Sequence, residues 1–117
     1  MTQTFRDLIA WQQGKALARE VYEITRLFPD EERFGLVTQL RRAAVSIPSN
    51  IAEGRGRGTK KDFAHFLMQA RGSLYEVETQ LELANELHYI NVADAARLLK
   101  ACDELSRVLN GLINSIT

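Results

Sequence analysis

At 117 residues, with 45% apolar and 26% charged side chains, the chain is long enough for one hydrophobic core and has the composition of an ordinary globular domain. No apolar run approaches the about 18 residues a membrane helix needs, the opening MTQTFRDLIAWQQ lacks the basic lead and apolar stretch of a secretory signal, and the single cysteine, Cys102, excludes an internal disulfide, so a reducing cytoplasmic setting is expected. Net charge is zero but unevenly spread: Arg41 to Lys61 holds six basic residues against one acid, and Tyr75 to Glu104 holds seven acids against two basic residues. Such a split steers a polyanion to one patch or orients the assembly of identical subunits.

No alternating β-branched run and no Asn-Gly hairpin occurs, and four helical segments account for nearly the whole chain. The first is expected over about 6–28, with Leu8, Trp11, Gly14, Ala18, Val21, Thr25 and Phe28 at the helix period. Pro29 ends it, because the residue before a proline is pushed out of the α region. Trp11 and Tyr22 are expected in packing contacts. Asp30, Glu31 and Glu32 then put carboxylates near the start of the second helix, expected over 35–53.

That second helix carries Leu36, Leu40, Ala43, Ala44, Ile47 and Ile51 on one face. Gln39, Arg42, Ser46, Asn50 and Glu53 form a second, polar stripe of groups able to hydrogen-bond in defined geometry. The stripe either pairs across a helix or subunit interface or contacts a ligand. Pro48 lies inside the pattern, where it removes a backbone hydrogen bond at a cost of about 3 kcal/mol. The apolar face resumes at Ile51, so Pro48 is read as a bend, with Ser46, Ser49 or Asn50 supplying a compensating bond. Gly54 is expected as a left-handed cap, and Arg55, Gly56, Arg57 and Gly58 as a flexible basic loop.

Thr59 reads as the N-cap of the third helix, with Asp62 at the reciprocal capping position. This helix, expected over 60–88, carries Phe63, Phe66, Leu67, Ala70, Leu74, Val77, Leu81, Ala84 and His88 as its stripe, and Gly72 is expected to mark a close helix crossing. After a turn at Tyr89 and Ile90, Asn91 caps a fourth helix over 92–115. The expected fold is all-α, an up-down-up-down four-helix bundle forming one domain.

Catalytic chemistry is not evident. His65 and His88 are 23 residues apart on one helix, no Glu-x-x-His pair is present, and Cys102 lies in an apolar stripe. Gly54-x-Gly56-x-Gly58 leaves a helix rather than a strand, so it is no dinucleotide fingerprint. No enzyme activity, metal or cofactor is expected.

The stretch QLRRAAVSIPSNIAEGRGR, with LFPDEE at Leu27 to Glu32, FAHFLMQARGSL at Phe63 to Leu74 and GSLYEVETQLELA at Gly72 to Ala84, resembles the bacterial four-helix-bundle family first known from proteins encoded within intervening sequences of 23S ribosomal RNA genes. The resemblance covers essentially the whole chain and follows the pattern Arg-Arg-x-x-x-Ser-x-Pro-x-Asn-Ile-Ala-Glu-Gly without departure. That family also looks related to the accessory variability proteins of diversity-generating retroelements. The resemblance implies a barrel-shaped homopentamer and, for the retroelement relatives, a basic surface that binds nucleic acid and a reverse transcriptase. For the ribosomal-RNA members it implies no established biochemical activity.

Two functional readings follow. In the first, Arg41, Arg42, Arg55, Arg57, Lys60 and Lys61 contact the phosphates of RNA or DNA without reading sequence; a pI near 6.7 is low for a dedicated nucleic-acid binder. In the second, the protein is a structural or adaptor oligomer. Its arginines then pair with the acidic flank of a neighbouring copy, and the motif residues Gln39, Arg42, Ser46, Pro48, Asn50, Glu53 and Gly54 lie at that interface.

Overall fold

The structure, a computed structural model, describes residues 4–117. Among them four α-helices follow one another: α1 (Ile9–Thr25), α2 (Leu36–Gly56), α3 (Lys60–Glu86) and α4 (Val92–Ile116). Each packs on its neighbours in sequence, and α1 also closes against α4, with no diagonal helix pairs. This is the expected up-down-up-down bundle, 44 Å long and 24 by 23 Å across. Val21, Leu40, Ile47, Ile51, Leu67, Leu74, Leu81, Leu98, Leu105 and Leu109 fill its axis and are fully buried.

The local chemistry explains where each helix starts and stops. At the N-terminal end, Thr4 and Asp7 form a reciprocal capping box around a 3₁₀ turn, Phe5–Asp7, and extended Leu8 separates this turn from α1. The first helix therefore begins later than expected. It also ends earlier, at Thr25. The chain then turns over the Leu27 N–H to Ile24 and Phe28 N–H to Thr25 carbonyl bonds, and Phe28 is buried beside the Tyr89 ring at 5.6 Å. Glu32 Oε1 accepts from the Leu36 N–H at 3.1 Å, so an acidic side chain from the connection does cap the start of α2. Thr59 caps α3 through the Asp62 N–H, and Asn91 caps α4 through the Asp94 N–H.

Three expectations need correction. Gly54 is not a left-handed cap: α2 runs on to Gly56, and the left-handed residue is Gly58, at φ +88°. Gly54 instead sits where α3 crosses closest, since a Cβ there would lie 2.6 Å from Phe66 Cβ and 3.3 Å from Phe63 Cδ1. Gly72 marks no crossing, because a Cβ there would meet open space. His88 is not on the α3 stripe; it lies beyond the helix, exposed, at φ +62°.

Pro48 stays inside a continuous α2 and is buried. The bond it removes is the one to the Ala44 carbonyl; the nearby Asn50 amide donates instead to the Ser46 carbonyl at 2.8 Å, so the expected compensating bond from Asn50 is not made to the orphaned group. The opposite side of α2 meets Gly14 of α1, where a Cβ would lie 3.1 Å from Ile47 Cγ2 and 3.5 Å from the Pro48 nitrogen. Helix α2 is thus pressed between two glycine contacts, one on each flank.

These contacts give opposite outcomes for two alanine substitutions in helices. Gly54→Ala is expected to destabilise the protein by about 1–3 kcal/mol, overpacking against Phe66 outweighing alanine's better helix propensity. Gly72→Ala is expected to be neutral or stabilising by up to about 1 kcal/mol. Urea unfolding of both variants checks the pair.

Candidate nucleic-acid interface

Arg55, Arg57, Lys60 and Lys61 are all exposed and surround the turn from α2 into α3. Gly56 and Gly58 put no side chain between them and have open space around their Cα atoms. Arg57 is the oriented member. Its guanidinium lies 5.1 Å from the Phe66 ring centroid and donates to Glu53 Oε2 at 2.8 Å. Both partners are about half exposed, at 53% and 54%. An exposed pair of this kind is worth about 0–1 kcal/mol, so a phosphate can displace the carboxylate readily. Arg55, Lys60 and Lys61 make no side-chain ion pair among the described residues.

Lys60 and Lys61 occupy the first turn of α3, the end where the helix dipole favours acids. Only Asp62 offsets them there. Helix stability would place carboxylates at these positions, so the pair of lysines does not serve the start of α3. The Phe5–Asp7 turn packs on α2 and brings Arg6, stacked on Phe5 at 4.6 Å, to the same end of the bundle. Sequence reasoning did not include Arg6; no spacing rule links it to the α2–α3 turn.

Arg41 and Arg42 are not part of this cluster. Fourteen residues of helix separate Arg41 from Arg55, about 21 Å along the axis. Arg41 points to α1, donating from Nε to Thr25 Oγ1 at 2.9 Å and from Nη2 to the Tyr22 carbonyl at 3.2 Å, with Tyr22's ring 4.6 Å away. Arg42 stands exposed on the outer face of α2 with no ion pair among the described residues.

The polar stripe forms a ladder along the α2–α3 seam. Ser46 and Ser73 share a hydroxyl bond of 2.9 Å, and Asn50 also donates to Ser46 Oγ at 2.8 Å. The Gln80 amide donates to Gln39 Oε1 and to Glu76 Oε2, each at 3.3 Å, while its own carbonyl oxygen is buried without a partner. Gln39, Arg42 and Glu53 remain exposed within this single chain. Ser73 and Gln80 were missed at the sequence level; their signal is a seven-residue spacing on the flank of the α3 apolar stripe.

Nothing gathered here resembles a reaction centre. Among the described residues no group of three or more His, Cys, Asp or Glu is placed to hold a metal. Cys102 is buried, and burial pushes its thiol up to about 12, well away from a reactive thiolate. No helix among the described residues is long and apolar enough to cross a membrane.

A family profile described as 23S rRNA-intervening sequence protein matches residues 6–111. Among solved structures, the chain is similar to a protein of unknown function from the S23 ribosomal protein family of Bacteroides thetaiotaomicron VPI-5482. That similarity has a TM-score of 0.81 at 22% identity and covers 90% of this chain and 98% of the other. At this identity the likeness shows a shared fold. No curated protein matches the chain.

The acidic flank between α3 and α4 gives a pH test. Partial burial holds the Glu78 carboxyl above its ordinary range, helped by the negative charges of Asp103 and Glu82. The folded protein therefore binds this proton more tightly than the unfolded chain. Its ionisation penalty is absent below the ordinary glutamate range and grows as pH rises through the raised folded value. Glu78→Gln is expected to be more stable than the parent near neutral pH, with the difference vanishing in acid. Urea midpoints across a pH series check the sign.

Proposed function

We propose that this chain, which belongs to the 23S rRNA-intervening sequence protein family, is a non-enzymatic, self-associating accessory protein that binds nucleic-acid backbone through the α2–α3 turn. The observation that carries this reading is the exposed set Arg55, Arg57, Lys60 and Lys61 on a glycine-opened turn, with a single weak internal ion pair among them. Such a surface contacts phosphates and reads no bases. It also lacks exposed aromatic platforms, Phe66 being half-buried beneath Arg57, so single-strand stacking contributes little. A ring of copies, a pentamer by the family resemblance, repeats the patch and converts weak single contacts into avidity.

Fluorescence anisotropy with labelled RNA and DNA across a salt series tests this directly. Affinity is expected to fall with a log–log slope near ~−3 for four single-strand phosphate contacts. Replacing Arg55, Arg57, Lys60 and Lys61 together by alanine is expected to remove both the affinity and the slope. Binding indifferent to salt, or retained in the fourfold variant, contradicts the reading.

A second reading, an adaptor oligomer, is favoured by the outer α2–α3 face. There Arg42 and Val45 are exposed, as is Glu53 near the far end of α2, and the buried side-chain oxygen of Gln80 has no partner among the described residues. In that reading Arg42 pairs with acids of the α3–α4 flank on a neighbouring copy. Arg42→Ala and Glu53→Ala are then expected to lower the native mass of the assembly, measured by light scattering. An unchanged mass in both removes the stripe from the interface.

A further inference from the structure

We infer that the recess between the end of α1 and the start of α2 is a binding site for a compact phosphate-type oxyanion, separate from the α2–α3 turn. The recess has a volume of about 170 Å³ and is lined by Thr25, Arg26, Phe28, Asp30, Arg33 and Arg41, among others. Buried Phe28 and Val37 give it an apolar floor, while Arg26 and Arg33 are exposed at its rim.

Three arginines line this one small cavity. Asp30 is the one carboxylate in the lining, and it lies within ion-pair distance of none of the three among the described residues. The neighbouring Glu32 is committed elsewhere, accepting from the Leu36 N–H at 3.1 Å and from the Tyr89 hydroxyl at 3.0 Å. Among the residues that line the recess, three arginines stand against one carboxylate, with Glu31 and Glu32 following on the adjoining turn.

Arg41 is already ordered for this purpose. Its Nε is fixed by the buried Thr25 hydroxyl, one Nη by the Tyr22 carbonyl, and its plane by the Tyr22 ring. The remaining Nη is left to bind, so little side-chain entropy remains to be lost. Arg26 and Arg33 carry no side-chain hydrogen bond or ion pair among the described residues; Arg33 rests only against the exposed Phe34 ring at 5.6 Å, so both can close over an oxyanion in bidentate fashion. The volume falls short of the ~300–1,000 Å³ of pockets for drug-sized ligands. It suits one or two phosphoryl groups, either free or at the end of a larger molecule. This site stands apart from the α2–α3 turn and does not depend on whether that turn binds nucleic acid.

Calorimetric titration of the full chain with inorganic phosphate and with diphosphate tests the assignment, with a thermal melt on each sample. Saturable binding and a raised melting temperature are expected. Arg26→Ala and Arg33→Ala, whose parent side chains make no hydrogen bond or ion pair among the described residues, are each expected to weaken binding about tenfold. An Arg55→Ala, Arg57→Ala double variant is expected to bind as the parent does. Competition by a 5′-phosphorylated dinucleotide and not by its 5′-hydroxyl counterpart would assign the site to a terminal phosphate; competition by neither, with diphosphate bound, would assign it to a free oxyanion. Absence of saturable binding by either inorganic anion to the folded parent overturns the proposal, as does undiminished binding in both rim variants.

Discussion

The arrangement depends on how closely α2 can approach its two neighbours. At Gly14 the α1 backbone comes against Ile47 and Pro48, and at Gly54 the α2 backbone comes against Phe66 of α3. Ala43 and Ala44, both buried, extend the small-residue surface of α2 on the turn before Ile47. Interiors pack at crystal-like density, so a methyl group at either glycine has no slack to occupy. The narrow separation brings the α2 and α3 flanks within hydrogen-bond reach, as the Ser46–Ser73 pair and the Gln39–Gln80 contact require. It also sets Phe66 beneath the α2–α3 turn, where the ring orients Arg57.

Two chemical consequences follow from this one helix. Its C-terminal end, freed by Gly56 and Gly58, displays cations that the fold does not use. Its N-terminal end holds Arg41 against the last turn of α1, so the same run of basic residues serves packing at one end and presentation at the other. The buried proline between them is accommodated because Gly14 leaves room for the ring. Arg41 and the Arg55–Lys61 cluster are therefore separate sites, however continuous they look along the chain.

Most of the fold was legible in the sequence because helical periodicity and capping are local. The caps at Thr59 and Asn91 and the acidic start of α2 follow from residues within one turn of each other. The errors have physical reasons. Gly54 and Gly72 look alike on a helical wheel, and only tertiary packing shows that one faces Phe66 and the other faces solvent. His88 fits the three-to-four-residue spacing of α3, yet the helix has already ended. The candidate site was legible as a composition and not as a place: counting arginines and lysines could not reveal that Arg41 turns toward Thr25 while Arg55 does not. Nor could periodicity identify the Arg26, Arg33 and Arg41 recess, whose arginines come from the connection after α1 and from α2.

The proposed role of the α2–α3 turn, as the place where an external polyanion meets this protein, is open to direct observation. The most direct measurement is a residue-resolved amide and arginine side-chain NMR titration with a short RNA at low salt. The account predicts shifts concentrated at Gly54 to Asp62 and the Arg55 and Arg57 guanidiniums, reversed by added salt, with the α3–α4 acidic flank unmoved. Shifts confined to the outer α2–α3 ladder, or no shifts at an RNA excess sufficient for phosphate contacts, would contradict it.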